Sequence, residues 1–312
     1  MLKDKTTVLK FGGTSVADAE CIKRVCSIAI EEAKTANLVM VVSAMGKTTD
    51  GLVKLAKEFN SLPEGRELDM LLSTGEQVTA SLVSMCLHEM GYAASSLVAW
   101  QAGFITERAH NRARIAKIKT DRIQAHLSKG EIVVLAGFQG ITDCGEVTTL
   151  GRGGTDTSAV AVAAALGAQK CDIYTDVDGV FTTDPRIIPE ARKLDIISYE
   201  EMLELASLGA KVLHPRSVEL AKKYDIDLSV RSSFKPEDKG TKVIKLSEVE
   251  KMELTQAVTG VALDKKQAKL GFIGVPDTPG IASKIFTTLA SNNVSVDVIL
   301  QSVAREGIID IA

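Results

Sequence analysis

Apolar residues in this chain follow two rhythms. Short apolar runs stand at Thr7 to Leu9, Leu38 to Ser43 and Ile132 to Gly137, unbroken over Val39 to Val42 and Ile132 to Leu135, and further strand candidates lie at Ala94 to Ala99 and Cys171 to Asp176. Unbroken runs of this length read as strands covered on both faces. Between them the apolar positions fall three and four apart, as in Ile22, Val25, Cys26 and Ala29, in Thr49 to Asn60, in Leu68 to Met90 with a break at Gly75, and in the alanine-rich Thr155 to Leu166. That spacing predicts helices with one buried face. Strands alternating with helices predict an α/β fold, a three-layer αβα sandwich around a mainly parallel sheet. Ligands are then expected at the carboxyl ends of the strands.

Near residue 240 the pattern changes. Lys235 to Gly240 is a polar turn and Leu246 to Glu253 is charged and weakly periodic, which predicts a first domain over 1–245 and a linker over 246–256. A smaller α+β unit is expected over 257–312. Its strands are predicted at Gln256 to Leu263, Lys269 to Val275 and Val294 to Gln301, its helix at Pro279 to Asn292, and a fourth strand from Ile308 to Ala312.

Composition narrows the choice of function. The chain has 312 residues, 45% hydrophobic, with a net charge of -3. No basic field is available for nucleic acid. Cys21, Cys26, Cys86, Cys144 and Cys171 form no C-x-x-C pair, which reads as a reduced, cytoplasmic protein with packing cysteines and no structural zinc. A charged start and apolar runs far shorter than a membrane span imply neither export nor insertion.

Candidate chemistry gathers at the strand ends. The first strand closes on Lys10, Phe11, Gly12 and Gly13 before a helical pattern opens. Two glycines let backbone N–H groups approach an anion, and phosphate suits such a loop. Ser15 is expected to cap that helix, with Asp18 as its acidic partner. After the second strand, Gly46-Lys47-Thr48 suggests a P-loop, but the position five before Gly46 is Val41, so the phosphate cradle would be incomplete. Ser43 and Thr48 are left as contacts for a polar substrate or as turn hydroxyls bonded to their own loop. Glu76, in Ser73-Thr74-Gly75-Glu76, either complements a helix dipole or meets a substrate ammonium. In Thr148 to Asp156 three glycines surround Arg152, whose planar fork suits a carboxylate or phosphate. Asp156 either caps the next helix or orients a lysine.

Thr175 to Arg186 is dense in acids and turn formers. Tyr174 and Pro185 stand where an EF-hand needs its first acid and its bidentate glutamate, so a nucleotide contact fits better than calcium. Lys211 precedes a proline, Pro215, that can open another helix. His88, His110 and His126 read as surface or packing residues, and no metal-ligating constellation emerges.

Lys10-Phe-Gly-Gly-Thr-Ser, Ser73-Thr-Gly-Glu76, Gly151-Arg-Gly-Gly-Thr-Asp156, Tyr174-Thr-Asp-Val-Asp-Gly179, Thr183-Asp-Pro-Arg186 and Lys211-Val-Leu-His-Pro215 together resemble, in order, the aspartate kinase family. The resemblance implies the amino acid kinase fold and transfer of the ATP γ-phosphoryl group to the β-carboxylate of L-aspartate, the first step of lysine, threonine and methionine biosynthesis. It implies that Lys10, Gly12, Gly13 and Asp156 are catalytic, with Mg²⁺ bridging the phosphates. Arg152 would take a substrate carboxylate and Glu76 the ammonium, with Ser43, Thr48 and Thr155 on the remaining polar atoms. Lys10, Thr175, Asp176, Phe181, Arg186 and Lys211 would face the nucleotide. Another small-carboxylate or carbamate kinase of the same fold is the nearest alternative, and a non-catalytic amino-acid-sensing subunit is another.

From Val258 the chain resembles the start of an ACT regulatory module, which implies lysine or threonine as effector, contacts from Asp277, Gly280, Ala282 and Gln301, and a homo-oligomer. Family members continue beyond the equivalent of Ala312, so a partial module is expected, with weak inhibition and with Ile308, Ile309 and Ile311 exposed on an unpaired edge.

Overall fold

A computed structural model describes residues 3, 5–210, 212–251, 258–263, 268–292, 294, 296, 298–305 and 307–312. The chain opens with β1 (Thr6–Phe11), α1 (Ala19–Ala33), β2 (Asn37–Val42), α2 (Thr48–Phe59), α3 (Arg66–Leu72), α4 (Thr74–Glu89) and β3 (Ala94–Leu97). It continues through β4 (Phe104–Thr106), β5 (Ile115–Ile118), α5 (Asp121–Leu127), β6 (Ile132–Ala136), β7 (Gln139–Thr142), β8 (Val147–Thr149), α6 (Gly154–Leu166) and β9 (Lys170–Thr175). Then come β10 (Ile196–Ser198), α7 (Tyr199–Ser207), α8 (Pro215–Tyr224), β11 (Asp227–Ser232), β12 (Thr241–Ile244), α9 (Leu246–Lys251), β13 (Phe272–Pro276), α10 (Ile281–Ser291) and β14 (Ile308–Ile311). Two compact units result, Met1–Leu263 and Asp264–Ala312.

Eight strands of the first unit form one sheet in the order β10-β12-β11-β9-β1-β2-β6-β3. The six from β11 to β3 are mutually parallel, while β12 runs antiparallel to β11 and parallel to β10. Each central strand sends alternate side chains to opposite layers. Val8, Val39, Val41, Val133, Leu135, Cys171 and Ile173 pack with Ala159, Val160 and Val162 of α6. Leu9, Phe11, Leu38, Met40, Val42 and Val134 pack with Ile22, Val25 and Cys26 of α1 and Val83 of α4. Helix α6 is built of small residues and is buried on nearly all sides, so it can approach β1 closely.

A separate four-stranded sheet, β5-β4-β7-β8, stands beside this sandwich. Its three- and four-residue strands were not among the predicted elements. The cap of α1 also differs from expectation. Gly13–Val16 forms a single 3-10 turn, so the helix starts later and Asp18 is its cap, accepting from the Cys21 N–H at 2.8 Å. Ser15 is buried there and accepts from the Ser233 hydroxyl at 2.8 Å.

Beyond the turn near 240, Leu246–Lys251 is a short helix where a linker was expected, and residues 252–257 lie outside the described residues. Residues 258–263 form no strand. They belong with the first unit, where the Val261 N–H donates to Thr182 O at 2.8 Å.

In the second unit β13 pairs antiparallel with β14, and α10 lies between them in sequence. The expected strand at Val294 to Gln301 is reduced, among its described residues, to a bridge between Gln301 and Ile311. Ile309 and Ile311 are buried, against the expectation of exposure, because β14 pairs and turns those two alternate positions inward; Ile308 remains exposed. Among the described residues, no helix is long and apolar enough to cross a membrane.

Candidate active site

The carboxyl ends of β1, β2 and β6 open onto a cleft of about 730 Å³, roofed by the β8-to-α6 loop. Lys10, Gly13, Ser43, Glu76, Arg152, Thr155 and Asp156 all line it. A larger hollow of about 960 Å³ lies between β5, α6 and α8, and no site residue singled out from the sequence lines it. The candidate residues therefore gather in the first cleft.

Lys10 shares the strand parity of Val8 and so leaves β1 on the α6 side. Its Nζ meets Asp156 Oδ1 at 2.6 Å, and both groups are nearly buried. Asp156 falls in the first turn of α6, where its charge complements the helix dipole. The preceding loop needs two glycines in the left-handed region, Gly151 at φ 76° and Gly153 at φ 66°. At Gly153 a Cβ would lie 2.1 Å from His214 Cγ, so the loop is pressed against the residue that caps α8.

Gly12 does not supply an anion donor. Its N–H is already given to Tyr174 O at 3.2 Å, because its extended backbone continues the pairing of β1 with β9. Gly13 is held close to the loop after β2, since a Cβ there would sit 2.9 Å from Ala44 O and 3.1 Å from Gly46 O.

Across the cleft, Glu76 is buried in the first turn of α4. Oε1 accepts from the Ala44 N–H at 3.1 Å, while Oε2 is buried with no partner among the described residues. Burial pushes this carboxyl up to about 7, partly opposed by the Ala44 N–H. Arg152 is exposed on the roof, and no ion pair or hydrogen bond engages its guanidinium among the described residues. Thr48 is not drawn into the cleft. As the first residue of α2 it is exposed, and its hydroxyl donates to Met45 O at 2.6 Å. Thr49 and Asp50, one step further round the helix, line the cleft instead.

The Thr175 to Arg186 loop leaves β9 one strand over from β1, where Phe11 pairs with Tyr174. Thr175 donates to Asp176 at 3.1 Å, Phe181 bridges to Lys193, and the exposed Arg186 holds Asp184 at 2.7 and 2.9 Å. Lys211 lies outside the described residues. In the second unit, Asp277 donates its N–H to Gly307 O, Gly280 caps α10 at φ 95°, Ala282 follows in its first turn, and Gln301 is exposed beside Ile311.

Two lining residues carried no sequence signal. Phe138, between β6 and β7, adopts φ 68° and packs against Gly154. Asn111, at φ 61°, lies against Gly151. Asparagine tolerates this conformation, whereas for a phenylalanine it is strained.

This arrangement matches known proteins. Residues 5–232 match the amino acid kinase family, and residues 272–312 the ACT domain. The chain belongs to the amino acid kinase family. An aspartokinase of Bacillus sp. strain MGA3 is 57% identical over 296 residues, covering 95% of this chain and 71% of the relative. The solved aspartate kinase of Synechocystis superposes with a TM-score of 0.69 at 43% identity, over 98% of this chain and 52% of that one. E. coli aspartokinase III in its R-state complex with aspartate and ADP gives 0.81 at 29% identity, over 98% and 78%; its T-state complex with lysine and aspartate gives 0.74 at 27%, with the same coverage. Within the family the chain is therefore one of the aspartokinases, ATP-dependent kinases that act on aspartate.

Proposed function

We propose that the cleft binds L-aspartate between Glu76 and Arg152 and passes the γ-phosphoryl group of ATP to its β-carboxylate, giving 4-phospho-L-aspartate. One observation carries this reading: a buried carboxylate oxygen and a guanidinium, neither with a partner among the described residues, line the same cleft. They complement the ammonium and α-carboxylate of an amino acid and leave its side chain to approach Lys10. A carbamate or simple carboxylate kinase would have no use for the buried acid, and a purely sensing subunit none for the Lys10–Asp156 pair.

Phosphoryl transfer requires positioning and positive charge more than covalent help. Lys10 supplies that charge at the transferring group, and Asp156 holds it in place through the 2.6 Å ion pair. Gly13 keeps the floor of the cleft free of side-chain bulk, while Ser43 and Thr155 offer hydroxyls to the substrate. No general base is required, since the attacking carboxylate is already ionised at neutral pH. The nucleotide lies along the loop after β9, toward Thr175, Asp176, Phe181 and Arg186, with Lys211 assigned there by its motif.

Mg²⁺ fits as a passenger of ATP. Among the described residues no three acids, histidines or cysteines converge to hold a metal, and magnesium commonly binds through substrate phosphates and water with one or two carboxylates. Asp156 is the carboxylate beside Lys10 that could complete such a set, and the ion would neutralise charge on the phosphate oxygens. Lysine or threonine is the proposed effector of the second unit, through Asp277, Gly280, Ala282 and Gln301, and a homo-oligomer is the proposed assembly.

A coupled assay with ATP, Mg²⁺ and a panel of amino and keto acids tests the assignment. Aspartate is expected to be the preferred acceptor, and a carbamate or a carboxylate lacking the amino group turning over faster would overturn it.

A further inference from the structure

The loop that carries Arg152 is held from behind by one buried acid. Asp69, on α3, is fully buried and meets groups from two other segments. Its Oδ1 accepts from the Thr149 hydroxyl at 2.5 Å and from Asn111 Nδ2 at 2.7 Å. Its Oδ2 pairs with His110 Nδ1 at 2.8 Å and accepts from the Asn111 N–H at 3.0 Å. Nothing in the proposed chemistry uses Asp69, yet two of these partners, Asn111 and Thr149, line the cleft.

A buried carboxylate survives only where donors compensate its lost hydration. Here those donors are the 110–111 turn and the end of β8. Asn111 is kept in the left-handed region by this grip and by the Gly65 N–H, which donates to its Oδ1 at 2.8 Å. Its carbonyl in turn lies 3.0 Å from where a Cβ on Gly151 would be, immediately before Arg152. The Ala113 N–H donates to Thr149 O at 2.9 Å, tying the two segments together. Arg216 completes the grip from α8, donating to Leu150 O at 2.6 Å and to Ala113 O at 3.2 Å.

We infer that Asp69 is a positioning residue for aspartate: by bonding Thr149 and the 110–111 turn, it fixes the backbone from which Arg152 reaches the substrate carboxylate. This rests on the reading of Arg152 given above. The nucleotide loop leaves β9, a different strand, and the bonds of Asp69 to His110, Asn111 and Thr149 do not run to it.

Kinetics on Asp69→Asn, Thr149→Val and the double variant test the inference, with Arg152→Lys in parallel. Asp69→Asn keeps the volume but places an amide N–H₂ among donors, and Thr149→Val removes one hydroxyl at constant shape. Each is expected to raise the KM for aspartate roughly 10- to 100-fold while changing the KM for ATP less than about threefold. The double variant is expected to lose less than the product of the two single effects, because both remove the same bond. Should Asp69→Asn fail to fold, Thr149→Val carries the substrate comparison alone. Equal losses for both substrates, a fully multiplicative double variant, or an unchanged KM for aspartate in a folded variant would each overturn the inference. Loss in Arg152→Lys without loss in Asp69→Asn overturns this inference alone, whereas an unaffected Arg152→Lys removes the reading beneath it.

Discussion

Replacing Glu76 with glutamine is expected to make the ligand-free protein more stable and the enzyme worse. In the folded chain this carboxyl is pushed up to about 7 from 4.5 by burial. A carboxyl raised in the folded state is protonated there at pH values where the unfolded chain has already lost its proton. Its stabilising contribution is therefore complete below pH 4.5 and lost as pH rises to 7. With the carboxyl raised from 4.5 to about 7, the ionised Glu76 costs the ligand-free fold about 3 kcal/mol at pH 8. Glu76→Gln removes that cost. Its thermal midpoint at pH 8 is expected to exceed that of the parent by roughly 5–10 °C, with the difference closing at pH 4. Aspartate should reverse the order, since its ammonium neutralises Glu76 but finds no charge on glutamine. The KM for aspartate is expected to rise roughly 10- to 100-fold in the variant. In the parent, that KM should improve about tenfold per pH unit as pH rises toward 7, and the variant should lack this slope. Thermal melts at both pH values, with and without aspartate, and KM profiles from pH 6 to 8 provide the check. A variant less stable than the parent at pH 8, or one with unchanged KM for aspartate, would refute the reasoning.

Other substitutions separate the remaining roles. Lys10→Ala is expected to lower kcat by roughly 10²–10³ with a smaller change in ATP binding, and near-normal kcat would remove Lys10 from the chemistry. Arg152→Lys retains charge but loses the fork, so aspartate use should fall by about 1.5–3 kcal/mol while ATP saturation is spared. Gly153→Ala forces both a positive φ and a clash with His214, and denaturant melts should register a loss of at least about 1 kcal/mol. Asp18→Ala removes the cap of α1 and should cost about 1 kcal/mol with kcat within twofold of the parent.

The layered fold was legible because central strands such as β2 and β6 are buried on both sides, an environment that continuous apolar runs satisfy. Lys10, Glu76, Arg152 and Asp156 stood out as charges within two residues of a glycine, and the fold brings all four to one cleft. The small sheet was not legible, since strands as short as Phe104–Thr106 and Val147–Thr149 are too brief for a period to emerge. The cap of α1 was misplaced by one turn because Ser15 and Asp18 are both good caps, and only the 3-10 turn decides between them. Asp69 left a faint mark, a charge between Leu68 and Met70 on a helix with apolar spacing. Its meaning depends on partners 41 to 80 residues further along, which no local pattern conveys. His110 read as a surface or packing residue, and its bond to Asp69 escaped for the same reason.

The alternation along β1 has a genetic consequence. Val8 and Lys10 face α6 while Leu9 and Phe11 face α1 and α4, so the Lys10 ammonium occupies one phase of a two-beat register. An in-frame insertion of a single codon inside this strand would change almost nothing in composition or hydropathy. It would nonetheless exchange the faces of every residue on one side of it, driving an ammonium into the oily layer or a phenyl ring against Asp156. Two inserted codons would restore the beat and cost only length. In libraries of such insertions, survival should follow odd and even numbers more closely than the chemical character of what was inserted.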